Sequence, residues 1–494
     1  MIVIKSQKID GKNEYKLLFQ RVGLVAISNA LLSFSGIILL PILTKNLSIE
    51  EYGYWSLIVV TIGMVVTIAM LGLPFTLVRF LSLLTEKEKI QEIFYSMFLL
   101  VILISILISS IIYLFSKNVA YLLFDGNVII VKLMSIIILI ECCNSFSIGY
   151  LRAREQIKRY SMLNTTKTII QIISIALLVL SGKGIIGAEI GLLISSLVIF
   201  IFLNFIIVSE IGIKVPRFEN IKEYLNFGIP TVPSNLSNWI VNASDRYVIG
   251  FYLGPASVGY YSPGYSLGNI INFFSAPLNF ILPATLSKHY DNNNIDKVKN
   301  ILNISLKYYL IFAIPSFFGL SLLSKPLLFI LTTPEIASNG YLITPFIALS
   351  SLLFGIYSFY QKIIILEKKT IISAKIWSTS ACVNLLLNIL LIPYIGIIGA
   401  AYTTLIAFTL SLILILWISS KYLKLSIGYY LYLKVLISSA IMSLVILLMN
   451  PISLWNLIST IFLCIFIYFA MLFFLNVITK EDVMSVKSLF LSSH

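Results

Sequence analysis

Two stretches of the sequence carry polar residues at the spacing of one helix face. Asn235, Asn238, Asn242 and Asp245 follow at intervals of three, four and three within an otherwise apolar segment. The next apolar segment, 258–285, has a similar stripe made of Tyr265, Asn269, Asn272 and Asn279. Each segment is long enough to cross a bilayer, and lipid would not tolerate these amides and acids. The stripes therefore predict the lining of a polar cavity inside a membrane protein.

Asp245 and Arg246 are the ionisable residues of the first stretch. Each costs at least ~2.5–3.5 kcal/mol to place inside a membrane, so both are candidate functional groups. Side chains at adjacent helical positions diverge by about 100°, so we expect that these two residues do not pair with each other. A guanidinium fits two phosphate oxygens at once, which makes Arg246 a candidate phosphate ligand. The alternative is a structural ion pair with a neighbouring helix.

The composition places the chain among polytopic membrane proteins. Of its 494 residues, 59% are hydrophobic and only 11% are charged, and its mean hydropathy is +0.98. Apolar windows predict an all-α fold of about fourteen transmembrane helices, with short connections and no soluble domain.

The distribution of positive charge predicts the topology. When successive spans cross the membrane in alternating directions, 29 of the 35 lysines and arginines fall on one side of the membrane. The other six lie on the opposite side or within the spans. By the positive-inside rule, both termini are cytoplasmic, in a multi-pass protein of the plasma or inner membrane. This distribution also accounts for the net charge of +14 without a nucleic-acid partner.

An internal repeat divides the predicted spans into two sets of six. Residues 47–56 match 253–262 at an offset of 206, residues 73–77 match 282–286 at 209, and the pentapeptide GIIGA at 184–188 recurs at 396–400, at an offset of 212. Six spans are an even number, so the two lobes have the same orientation. The predicted parts are a cytoplasmic N-terminus 1–21, an N-lobe 22–208, a linker 209–227, a C-lobe 228–420 and a C-terminal part 421–494 with two more helices. Two such lobes facing each other across a polar cleft are typical of a transporter.

Other predicted spans carry shorter polar patterns. Two membrane carboxylates, Glu141 and Glu189, are candidates for carrying a coupling H⁺ or Na⁺. Further stripes are formed by Asn29, Ser33 and Gly36, by Asn164, Thr168 and Gln171, and by Trp377, Ser380, Asn384 and Asn388. The alternative interpretation of every asparagine stripe is that it holds helices together.

Several motifs resemble the polysaccharide flippases of the Wzx and polysaccharide-transporter type, whose superfamily includes MATE exporters and lipid II flippases. The resemblance covers the two lobes of six predicted spans each and is most specific in residues 224–291. It is carried by LPIL at 40–43, EYGYW at 51–55, FGIP at 227–230, DRYVIG at 245–250, VGYY at 258–261 and LP at 282–283.

This resemblance implies a two-lobed helical bundle that moves polyprenyl-diphosphate-linked oligosaccharides outward by alternating access. It also implies that Asp245, Arg246 and basic residues at the cavity mouth, Arg21 and Arg79, bind the substrate, while snorkelling to headgroups is the alternative for the two arginines. The asparagines then suit sugar hydroxyls. The chain lacks the many intramembrane arginines of lipid II flippases, which argues against that substrate.

There are two rival functions, one within the same superfamily and one from another class. A MATE-like multidrug exporter would have twelve spans rather than fourteen. A membrane-embedded polysaccharide polymerase or glycosyltransferase would need a sizeable catalytic segment, whereas every connector is short. We therefore predict a non-enzymatic, monomeric transporter with no cofactor or metal, driven by H⁺ or Na⁺ exchange or by the membrane potential. Its partners are the lipid-linked glycan and the bilayer.

Overall fold

The structure is a computed structural model that describes residue 31 and residues 34–82, 84–425 and 429–477. Within these ranges the chain is built of helices without strands, which confirms the predicted all-α membrane fold. Three predicted residues, Arg21, Asn29 and Ser33, lie outside the described residues. The helices are α1 Phe34–Asn46, α2 Ile49–Ala69, α3 Leu73–Leu81, α4 Lys87–Leu114, α5 Ser116–Leu123, α6 Val128–Ala153, α7 Ile157–Leu178, α8 Gly184–Ile211, α9 Ile221–Gly228, α10 Val232–Leu253, α11 Pro255–Gly268, α12 Asn272–Asp291, α13 Ile295–Leu331, α14 Pro334–Gly340, α15 Ile343–Leu366, α16 Thr370–Ile395, α17 Ile397–Ser419, α18 Tyr429–Met449 and α19 Leu454–Phe474.

Eleven helical segments of the described chain are long and apolar enough to cross a membrane. One of them, Ile157–Ile211, contains both α7 and α8, which are joined across a kink at Val179–Lys183 where Gly182 has a φ angle of 82°. Helix α10 has 22 residues but is not among the eleven, because its polar stripe lowers its hydropathy. The described part of α1 is shorter than a span. The number fourteen therefore remains a prediction.

The second long segment of each sequence repeat is broken. Leu71 and Gly72 adopt positive φ angles of 46° and 71° between α2 and α3, which a helix cannot contain. Between α11 and α12 the break is a 3₁₀ turn at Asn269–Ile271. The predicted segment 258–285 lies in one helical segment, Pro255–Asp291, in which this turn separates α11 from α12 within the polar stripe.

The described chain divides into two compact units. Of the described residues, those at 58–236 and those before Leu40 belong to unit 1, and those at 40–57 and after Leu236 belong to unit 2. The lobe boundaries expected from the sequence repeat remain a prediction. In unit 1, α6 packs against α3, α4 and α8. Aromatic rings fill the contact between α4 and α6. The ring centroid of Phe94 lies 5.6 Å from that of Phe146 and 5.4 Å from that of Tyr150.

The linker after α8 lies against α4 within unit 1. The Glu92 carboxylate accepts hydrogen bonds from the backbone N–H groups of Arg217 and Phe218, at 2.7 and 3.0 Å. The Tyr95 hydroxyl donates to the Gly212 carbonyl at 2.5 Å. A cavity of about 520 Å³ lies beside this segment, lined in part by Tyr224, and burial raises the pKa of the Tyr224 hydroxyl above its usual value. Side chains of α4 thus fix a segment that lacks helical hydrogen bonds of its own.

In unit 2, the start of α2 packs against the start of α11 through glycines. A Cβ atom at Gly53 would lie 2.0 Å from the Pro255 carbonyl oxygen, and one at Gly259 would lie 2.3 Å from the Ile49 carbonyl oxygen. Only glycine permits so close an approach of two backbones. Pro255 and Gly259 are the repeat counterparts of Ile49 and Gly53, at an offset of 206. The contact is therefore reciprocal, as at a local twofold axis.

Candidate functional site

Asp245 and Arg246 form a buried ion pair in unit 2. Arg246 Nη1 lies 3.1 Å from Asp245 Oδ1, and the same oxygen accepts the Arg246 backbone N–H at 2.8 Å. Our expectation that these neighbours would not pair was wrong. Their Cα–Cβ bonds do diverge, but the arginine side chain is long enough to fold back and reach the carboxylate. Asp245 is 1% exposed and Arg246 7%, so the pair is sheltered from both lipid and water.

Two tyrosines of α11 complete the site around this pair. The Tyr261 hydroxyl donates to Asp245 Oδ2 at 2.5 Å, and the Tyr265 hydroxyl donates to the Asn242 carbonyl at 2.9 Å. The Tyr265 ring faces the guanidinium, with 4.2 Å from Arg246 Cζ to the ring centroid. A desolvated cation–π contact of this kind contributes about 2 kcal/mol. Tyr261 was not among the predicted site residues, although it belongs to the VGYY motif at 258–261 and lies four residues before Tyr265.

The arrangement leaves part of the guanidinium available for a ligand. Both side-chain hydrogen bonds of Arg246, to Asp245 Oδ1 and to the Asn242 carbonyl at 3.1 Å, come from Nη1. The acceptors described for Arg246 at these distances are reached by neither Nη2 nor Nε. Those two donors have the fork geometry that binds two oxygens of one phosphoryl group. The pair itself has no net charge, so a bound anion would compete with Asp245 for the arginine.

The other asparagines of α10 lie on a partly buried face. Asn235, Asn238 and Asn242 are each half-buried, and Asn242 Nδ2 donates to the Asn238 carbonyl at 2.7 Å. The structure thus brings the Asn242 carbonyl into contact with Arg246, and Asn238 lies one helical turn before Asn242. That these side chains line a water-filled cavity remains a prediction.

The rest of the second stripe, Asn269 in the 3₁₀ turn and Asn272 and Asn279 of α12, lies beside α15. Asn272 Nδ2 donates to Asn269 Oδ1 at 2.5 Å, and the Ser351 hydroxyl donates to the same oxygen at 3.4 Å. Farther along, Asn279 Oδ1 accepts from Lys362 Nζ at 2.6 Å. Lys362 is one of the 29 lysines and arginines that were counted on the cytoplasmic side, but it is buried within α15. Its sequence signal is only that it lies within an apolar segment.

The stripe on α16 has a structural environment. Ser380, Asn384 and Asn388 are fully buried, and Asn388 Nδ2 donates to Asn384 Oδ1 at 3.2 Å. Thr403 of α17 donates to Asn388 Oδ1. The contacts described for this stripe hold α16 against α17, which is the ordinary role of amides between membrane helices.

The candidate residues of unit 1 differ widely in environment. Arg79 is exposed in the last turn of α3. Glu141 pairs with Lys167 at 2.6 Å and accepts from the Ser196 hydroxyl at 2.5 Å. Lys167 is another of the 29 lysines and arginines that were counted on the cytoplasmic side. Glu189 is fully buried, and within the described residues neither of its oxygens has a hydrogen-bond partner.

Comparison with known proteins identifies a family. A family model described as "Polysaccharide biosynthesis protein" matches residues 42–335, which is more than half of the chain. The match includes the buried Asp245–Arg246 pair, both tyrosines and the asparagines of α10 and α12.

Curated relatives have flippase names. The chain is 25% identical over 203 residues to the probable low-salt glycan biosynthesis flippase Agl15 of Haloferax volcanii, covering 41% of this chain and 43% of that protein. It is also 25% identical over 278 residues to the probable flippase AglR of Haloferax volcanii, covering 54% and 56%. The chain thus spans about half the length of the curated relatives it matches.

Solved structures share the fold. The lipid II flippase MurJ in an inward closed conformation aligns over 92% of this chain and 98% of its own, with a TM-score of 0.76 and 22% identity. An inward-facing multidrug resistance MATE family transporter of the MOP superfamily aligns over 79% and 94%, with a TM-score of 0.69 and 13% identity. The predicted resemblance to polysaccharide transporters is confirmed by the family match, and these two structures show that the fold is shared.

Proposed function

We propose that this chain, which belongs to the family of polysaccharide biosynthesis proteins, is a flippase for a polyprenyl-diphosphate-linked oligosaccharide. It moves the repeat unit of a surface polysaccharide from the cytoplasmic to the outer leaflet by alternating access. The flippase names of its relatives support this assignment. The structural observation that carries it is the buried Asp245–Arg246 pair, whose guanidinium keeps two donors for an anion.

The physical task is to carry a charged, sugar-bearing headgroup across ~30 Å of hydrocarbon. Arg246 binds phosphoryl oxygens through Nη2 and Nε, while Asp245, Tyr261 and Tyr265 hold the guanidinium in place. The half-buried amides of α10 and α12 bind sugar hydroxyls. An inside-negative potential of 100 mV favours outward movement of two negative charges by about 4–5 kcal/mol. Exchange for H⁺ or Na⁺ is an alternative driving force.

The test is translocation in proteoliposomes. A fluorescently labelled undecaprenyl-diphosphate disaccharide is placed in both leaflets, and the fraction bleached by an impermeant reductant is measured with time. We expect bleaching to go beyond the outer-leaflet half with the wild-type protein. Protein-free vesicles, and vesicles with the Arg246→Ala variant, should stop at that half.

The fold of MATE transporters makes multidrug export the second candidate. The same proteoliposomes therefore also receive an organic dye cation such as ethidium. Dye efflux without movement of the lipid probe would reject the flippase assignment in favour of the exporter.

A further inference from the structure

Lys362 is a buried cation without a carboxylate partner among the described residues. Four charged side chains are buried there, namely Glu189, Asp245, Arg246 and Lys362, and only Asp245 and Arg246 pair with each other. Lys362 is 6% exposed, and its ammonium donates to Asn279 Oδ1 at 2.6 Å and to the Ser358 carbonyl at 3.0 Å. Both acceptors are neutral, so the positive charge is not compensated. Membrane proteins retain such charges chiefly at functional positions.

Lys362 lies at the end of a polar seam between two helices that run side by side. Thr344 donates to the Gly264 carbonyl, Ser351 to Asn269, and Lys362 to Asn279, over sequence separations of 80, 82 and 83. A nearly constant separation means that α15 runs parallel to α11 and α12 in register. The seam extends over the 18 residues from Thr344 to Lys362, or about 27 Å of helix. That length is close to the ~30 Å hydrocarbon thickness of a bilayer.

Arg246 and Lys362, the two buried basic residues described in unit 2, lie far apart along this seam. Arg246 lies against Tyr265, whereas Lys362 bonds Asn279. Tyr265 and Asn279 are 14 residues apart, which corresponds to about 21 Å along a helix. One diphosphate cannot contact both groups at once. They would therefore act at different stages of a passage across the membrane.

We propose that Lys362 and Asn279 form a second binding site for an anionic oxygen of the lipid-linked headgroup. The third N–H of the ammonium and the Asn279 amide N–H groups, for which no acceptor is described, supply the donors. On the predicted topology α15 ends in the cytoplasm, so this site receives the headgroup and Arg246 binds it farther outward. The inference rests on the proposed function. The anion is a phosphoryl oxygen or the carboxylate of an acidic sugar, since an ammonium binds either.

Binding to the purified full-length protein in detergent separates these sources. Geranylgeranyl diphosphate is the phosphate probe, dodecyl glucuronide is the carboxylate probe, and dodecyl maltoside is the neutral reference. We expect Lys362→Met to weaken binding of the diphosphate by about tenfold or more, because a charge-assisted hydrogen bond is lost. Lys362→Arg should retain most of the affinity. Lys375→Met, which removes the same charge from an exposed position on α16, is the matched control.

The unfolding temperature without ligand tests a merely structural role. Replacing an uncompensated ammonium by an apolar side chain should leave that temperature unchanged or raise it. A weaker diphosphate affinity assigns the site to phosphate, and a weaker affinity for the glucuronide alone assigns it to an acidic sugar. Unchanged affinity for both probes in Lys362→Met, or no wild-type binding of either, would overturn the inference. The proposed function is judged separately, by whether the wild-type protein moves the lipid probe in vesicles.

Discussion

The hydroxyl oxygens of Ser56 and Ser262 lie 2.6 Å apart, and the two residues are separated by 206 positions. This separation equals the offset at which residues 47–56 recur as 253–262. The two serines are therefore repeat counterparts that bond to each other, next to the reciprocal glycine contacts of Gly53 and Gly259. An element and its own copy meet about a local twofold axis within unit 2.

This contact predicts a cross-link. In a background without the four native cysteines, Ser56→Cys with Ser262→Cys should form a disulfide on mild oxidation. If α2 and α11 separate during transport, the cross-linked protein should stop moving the lipid probe and recover when the bond is reduced. Ser56→Cys with Ser257→Cys is the control pair, since residue 257 lies on another face of α11. Full transport by the cross-linked protein would show that this contact stays closed throughout the cycle.

The ion pair of α10 predicts different effects for its two members. Arg246→Lys should keep less than half of the wild-type rate of transport, because an ammonium lacks the second donor of the fork. Asp245→Asn should be milder, because Asn can still accept from Tyr261. Arg246→Ala leaves a buried carboxylate unpaired, at a cost of ~3–5 kcal/mol in stability.

Thermal unfolding on the same preparations separates the two roles of Arg246. The double variant Asp245→Asn with Arg246→Gln removes both charges and should regain most of the stability that Arg246→Ala loses. Recovery of transport along with stability would refute phosphate binding by Arg246.

The Glu141–Lys167 pair predicts coupling between two helices of unit 1. Lys167→Met should destabilise the protein by about 1–3 kcal/mol, because the half-buried Glu141 would keep only its bond from Ser196. Combining Lys167→Met with Glu141→Gln should cost much less than the sum of the single changes. Unfolding in a double-mutant cycle measures the difference. Additive losses would mean that the pair contributes nothing to stability.

The polar stripes predict which positions water reaches. Single cysteines at Asn238 and Asn269 should react in membranes with a small hydrophilic thiol reagent. A cysteine at Phe251, an exposed apolar residue on α10, should not react if it faces lipid. Equal labelling of all three positions, or of none, would reject the cavity that we predict from these asparagines.

The charge asymmetry predicts the orientation. Cysteines at Lys87, Arg152 and Lys369, all exposed, should label from the cytoplasmic side, and one at exposed Lys325 should label from outside. An impermeant thiol reagent applied to intact cells and to inverted vesicles makes the distinction. Labelling of the first three from outside would overturn the topology, and with it the order of the two binding sites.

The sequence alone determines the class of this protein and the position of its main candidate site. Hydropathy acts segment by segment, so the membrane helices follow from composition. A charged pair such as Asp245–Arg246 in an apolar segment is recognisable because its cost in lipid does not depend on the rest of the fold. The repeat is also visible, because copies of a segment keep some of its residues.

Only the tertiary structure decides which side chains meet. Arg246 folds back onto its neighbour Asp245 and lies on Tyr265, a geometry that depends on how α11 packs against α10. Lys362 and Lys167 were counted as cytoplasmic charges from the sequence. If a helix boundary moves by one turn, a lysine near it lies about 5 Å deeper along the helix, inside the protein instead of in water. Their partners, Asn279 and Glu141, lie on other helices. Helical spacing specifies one face of one helix, whereas contacts between helices depend on the side chains of both.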